Sequence, residues 1–126
     1  PRYRDHPTVQ ARALLEDDDY NGCCAANALV YVDSSGNLQP CDLFQVSFGN
    51  VIEEGVETVF RRMKACFPHP TKGRCPAHTL SRQIHQAHKK TGALPVDYND
   101  CGTILENISS RGLPPRMDRA RKKMQR

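Results

Sequence analysis

The chain has 126 residues, a mass of 14.2 kDa, a net charge of +4, 38% hydrophobic residues, no Trp and a mean hydropathy of -0.64. That describes one domain, or part of one, with a modest core that a metal or disulfide staple would help. No apolar run approaches the roughly 18 residues of a membrane span, and no signal peptide opens the chain. A cytoplasmic location without membrane partners is therefore expected, where six cysteines point to metal ligands or free thiols rather than disulfides. Pro1 rather than Met stands first, as in a fragment or a processed chain.

Residues 1–22 are polar and read as a lead-in from something upstream. A short helix is expected over Val9–Leu15, ended by the acids Glu16 to Asp19. Consecutive acids at Asp17, Asp18 and Asp19 are a solvated turn, since a hard-cation site needs wider spacing. Cys23 and Cys24 follow. A strand-like run, Leu29–Asp33, leads to a turn at Ser34-Ser35-Gly36-Asn37, and Pro40-Cys41 closes the return strand. Such a hairpin carries thiols distant in sequence toward one end of a small sheet. Phe44, Val46 and Phe48 then alternate up to Gly49-Asn50.

Glu53–Ala65 reads as a helix. Val56, Val59, Phe60 and Met63 recur at helical spacing, with acids in the first turns and Arg61, Arg62 and Lys64 near the end, as the helix dipole favours. A Pro- and Gly-containing loop runs from Cys66 to Cys75. Thr79–Thr91 is a second expected helix, capped by Thr79 or Ser81 and closed at Gly92. Residues 93–110 form an extension with a turn at Asn99-Asp100 and a further thiol, Cys101. From Arg111 onward seven cations stand against Asp118, a balance of +6 that leaves −2 for the rest. The basicity belongs to a tail (111–126) expected to be disordered, and nucleic acid is not an expected partner.

The order Cys23, strand, Gly36 turn, Pro40-Cys41, Phe48-Gly49-Asn50-Val51, acidic-starting helix, Cys66 and Cys75 resembles the SPASM/twitch auxiliary domain of radical S-adenosylmethionine (radical SAM) enzymes. The resemblance covers about residues 20–85. It implies a small α+β fold over residues 23–92, a β-hairpin and two helices around one 4Fe–4S cluster. The implied ligands are Cys23, Cys41, Cys66 and Cys75, with Gly36 and Gly49 as structural turns. Cys24 is the alternate first ligand. Cys101 is a late ligand, a substitute for Cys66, or a buried thiol. Two departures bear on this. The Cys-x2-Cys of the two-cluster SPASM pattern is absent, so one cluster is expected. The Cys-x3-Cys-x2-Cys that binds S-adenosylmethionine is absent too. The chain alone is then inactive, and its partner is an upstream catalytic domain, on the same or another chain, acting on a peptide or a small molecule.

Other readings use the same residues differently. A structural zinc module would draw on Cys75-x2-His78 and His85-x2-His88, with the basic tail as its only support for nucleic-acid binding. A secreted disulfide scaffold is disfavoured by the missing signal and the moderate cysteine density. His69, between prolines in the ligand loop, is expected to be exposed.

Overall fold

The computed structural model describes residues 21–125. The helix expected over Val9–Leu15 and the acids Glu16 to Asp19 lie outside the described residues. The hairpin is present: β1 (Tyr31–Val32) pairs antiparallel with β2 (Leu38–Gln39), Tyr31 opposite Gln39 and Val32 opposite Leu38. Asp33 makes the reversal. Its carboxylate accepts the backbone N–H groups of Ser35 and Asn37 and the Asn37 side-chain amide, each at 2.9 Å, an Asx turn in geometry. Gly36 follows at φ +89°, where a Cβ would stand 2.8 Å from both Asn50 Oδ1 and Ile52 Cδ1.

The return strand is fixed on both sides. Leu38 N–H donates to the Gly49 carbonyl and Phe48 N–H to the Leu38 carbonyl, each at 2.9 Å. The alternation ahead of Gly49 is a core signal, since Phe44, Val46 and Phe48 are all buried. Within it β3 (Val46–Ser47) pairs in parallel with β4 (Val96–Asp97), Val46 opposite Val96.

Asn50 starts the helical part. Its side chain accepts from Ile52 N–H (2.9 Å) and Glu53 N–H (3.3 Å), and its amide donates to the Ser35 carbonyl (2.7 Å). The helix expected over 53–65 is two helices, α1 (Val51–Glu54) and α2 (Val56–Cys66), because Gly55 sits at φ +82° and leaves helical conformation. The expected apolar stripe is half used. Val59 and Met63 are buried, whereas Val56 and Phe60 are 62% and 39% exposed. Arg62 locks α2 to the sheet by donating to the Phe48 carbonyl (2.6 Å), pairing with Glu54 (2.5 Å) and lying over the Tyr98 ring.

The second expected helix also divides, into α3 (Pro76–Thr79) and α4 (Ser81–Thr91). Neither Thr79 nor Ser81 caps α4. Their hydroxyls turn back to the carbonyls of Cys75 and His78. The C-terminal end is as expected, with Gly92 left-handed and its N–H on the His88 carbonyl at 2.7 Å. The extension folds into β4, a 3-10 turn at Tyr98–Cys101 and α5 (Gly102–Ser109). The basic segment expected to be disordered is instead helical from Pro115 to Met124, as α6. Proline suits its first turn, and Asp118 there pairs with Arg121 and Lys122, each at 2.8 Å.

The α+β class holds, with more elements than expected: six helices and a second, parallel two-stranded sheet among the described residues. Phe67 anchors the core edge-to-face against Phe44 (5.9 Å) and Phe48 (6.1 Å), and Tyr98 stacks on Phe48. Val59, Met63, Val96, Ile104 and Ile108 close around them. No helix among the described residues is long and apolar enough to cross a membrane.

Asn50→Ala removes the α1 cap and the tie to Ser35, and is expected to lower stability by about 1–2 kcal/mol. Gly36→Ala meets both a left-handed φ and the fixed Asn50 side chain, and should cost about 2 kcal/mol. Urea unfolding of the two variants checks both values. A loss under a few tenths of a kcal/mol for either would refute the assigned role.

Candidate metal centre

The backbone gathers the cysteine-bearing segments, beginning with a reciprocal pair between Cys23 and Thr71. Cys23 N–H donates to Thr71 O (2.9 Å) and Thr71 N–H to Cys23 O (3.1 Å). This places the first thiol segment on the loop that joins Cys66 to Cys75. The chain then coils tightly. Asn27 N–H and Ala28 N–H both donate to the Cys24 carbonyl at 2.9 Å. Ala26 takes up φ +59°, an uncommon conformation for a residue with a Cβ, and its N–H donates to the Pro40 carbonyl at 2.9 Å. That bond brings residues 23–26 beside Pro40-Cys41, as the hairpin reading requires.

Cys41 is 5% exposed. Burial pushes its thiol pKa up, the backbone N–H groups of Leu43 and Phe44 act against the rise, and Asp42 and Cys75 add to it. Nearby amide N–H groups favour the thiolate, the form that binds a metal. Cys75 itself is exposed, and its carbonyl starts α3 by accepting from His78 N–H (3.1 Å) and Thr79 N–H (3.0 Å). Cys66 ends α2, half-buried against the core, and burial raises its pKa.

The two uncertain thiols differ from these. The Cys24 thiol donates to the Gly22 carbonyl at 3.5 Å, whereas Cys23 packs against the core. Cys101 is 1% exposed, and burial, with Asp100 and Asp97 adding to it, pushes its pKa up to about 11. It is a buried thiol at the end of the 3-10 turn.

Side chains are less gathered than backbones. Among the described residues, no three Cys, His, Asp or Glu side chains stand close enough together to hold a metal ion. The zinc donors are no closer: His85 and His88 lie 6.5 Å apart between ring centroids, and His88 Nδ1 contacts the Ala93 carbonyl at 3.0 Å. His69 is half-buried rather than exposed, with Nδ1 2.9 Å from the Pro70 carbonyl.

A second feature escaped the sequence reading. Lys72, Arg74 and Arg111, far apart in the chain, line one cleft. The only local signal was two cations flanking Gly73 in the loop between Cys66 and Cys75. Compared with known proteins, the chain matches no family model, no curated protein and no solved structure.

Alkylation of the native protein should label Cys75 first and Cys101 last, read by mass spectrometry after digestion. The raised Cys101 pKa also sets a pH dependence. Above the unfolded thiol value of about 8.5 the unfolded chain loses this proton and the folded chain keeps it, so stability falls as pH rises. The loss should develop from about pH 8.5 to about pH 11, and Cys101→Ala should flatten that part of the curve. An unchanged slope in the variant would refute the assignment.

Proposed function

We propose that this chain is the C-terminal auxiliary domain of a radical SAM enzyme, holding one 4Fe–4S cluster on Cys23, Cys41, Cys66 and Cys75. The observation that carries this reading is the placement of Cys41: a buried thiol that the Ala26 N–H to Pro40 carbonyl bond sets beside the Cys23-Cys24 segment. The Cys23–Thr71 pair supports it by tying the first thiol to the loop between the last two. The donor set suits the group, since iron–sulfur clusters take soft thiolate ligands. A cluster there supplies a one-electron relay or a contact that helps place substrate. The chain's own part is the burial of Cys41 and the half-burial of Cys23 and Cys66 against the core, which would tune a cluster's potential. Cleavage of S-adenosylmethionine belongs to a separate catalytic domain.

Iron, sulfide and zinc content after anaerobic reconstitution tests the reading. The expected result is about four iron and four sulfide per chain with broad visible absorption. Cys41→Ala and Cys75→Ala should each lose iron and stability together, because metal binding is coupled to folding. Cys24→Ala should be milder than Cys23→Ala, and Cys101→Ala should keep its iron. About one zinc per chain and no iron would overturn the proposal in favour of a structural zinc module.

A further inference from the structure

The ligand loop and the turn after α5 run side by side. Lys72 N–H donates to the Gly112 carbonyl at 2.9 Å, and the Lys72 side chain lies over Gly112, where a Cβ would come 3.3 Å from Lys72 Cε. Between the two segments opens a cleft of ≈ 580 Å³ lined by Lys72, Arg74, Thr79, Ser110 and Arg111, with no carboxylate in its wall.

Arg111 is the fixed element. Its Nη1 donates to the Arg74 carbonyl (2.7 Å), and its Nη2 to Thr79 Oγ1 (2.9 Å) and, at longer range, Asn107 Oδ1 (3.4 Å). All three acceptors are neutral, so the guanidinium is oriented without being neutralised. Four other cations are ion-paired: Arg61 with Glu57, Arg62 with Glu54, and both Arg121 and Lys122 with Asp118. Among the described residues Lys72, Arg74 and Arg111 have no such partner.

Three cations with no ion-pair partner among the described residues, set around a concave surface, call for an anion, and their number favours a dianion over a single carboxylate. A planar guanidinium with donors to spare suits a phosphate, whose oxygens it can take two at a time. A neighbouring cleft of ≈ 490 Å³ shares Arg74 and Thr79 and adds His78, Ser81 and Arg82. That leaves room beside the charged centre for an organic group. We propose that Lys72, Arg74 and Arg111 form a binding site for a phosphate group, carried as free phosphate or as the monoester of a small molecule. The site does not depend on the cluster reading, although Thr79, which accepts from Arg111, donates in turn to the Cys75 carbonyl at 3.2 Å.

Calorimetric titration at constant ionic strength tests this, with inorganic phosphate and phenyl phosphate as probes and acetate as the control. Saturable binding of phosphate at one site per chain is expected, with acetate at least roughly tenfold weaker. R111Q should weaken phosphate roughly tenfold or more, K72Q and R74Q several-fold, and R119Q, on α6, not at all. Arg111 also holds the loop, so circular dichroism must show R111Q folded. If it is not, K72Q and R74Q, whose side chains are exposed, decide the matter. Tighter binding of phenyl phosphate assigns the neighbouring cleft to the organic group, and equal affinities assign the site to phosphate itself. Phosphate binding no tighter than acetate would overturn the proposal, as would binding that survives both K72Q and R74Q. A single-stranded oligonucleotide whose affinity falls equally with R119Q and K72Q would replace the site with diffuse attraction.

Discussion

Two hydrogen bonds between Cys23 and Thr71 decide where the middle of this molecule goes. Each residue gives its N–H and takes the other's, so the loop after α2 acquires the regular partner that its prolines and glycine deny it locally. Thr71 is 2% exposed as a result, an unusual position for a polar residue in a loop. The neighbouring Lys72 amide then reaches Gly112, and the segment is held on both sides. The proposed metal ligands and the proposed phosphate site both hang on this strip of backbone: Cys66 precedes it, Cys75 follows it, and Lys72 and Arg74 line its outer edge.

Much of the fold was legible where chemistry is local. The Asp33-to-Asn37 turn was visible because a short acid followed by serines and a glycine can satisfy its own backbone. The end of α4 was visible because glycine takes the left-handed conformation at Gly92 cheaply. The break at Gly55 was missed because a glycine within an apolar periodicity reads as a tolerated interruption. The periodicity also overstated the core. Val56 and Phe60 follow the helical rule, yet α2 turns only Val59 and Met63 inward. Helicity from Pro115 to Met124 was hidden by charge, since a run of cations suggests repulsion and Asp118 offsets it for only two of them.

The site was legible in part. That residues 23–26 and Cys41 approach each other follows from the hairpin, and the Ala26 to Pro40 bond carries it out. The strained conformation of Ala26 that permits this bond leaves no trace in composition. Cys101 stood open among three roles, and its burial at the end of the 3-10 turn could not be read from its spacing. The cationic cleft lay beyond reach because Arg111 stands nearly forty residues from Arg74, and what joins them is a carbonyl.

The parallel pair of β3 and β4 carries a consequence for the order in which the chain assembles. Val46 and Val96 are partners about fifty residues apart, and α1 through α4 lie between them. Closing a segment of that length costs conformational entropy before the two valines return any burial. The β1–β2 hairpin spans fewer than ten residues and forms early by comparison. On a ribosome, Val46 must wait for Val96 to emerge. Until then one edge of the Phe44–Phe48 core stays open to solvent, and the nascent chain carries an apolar strand paired on its Leu38 side alone.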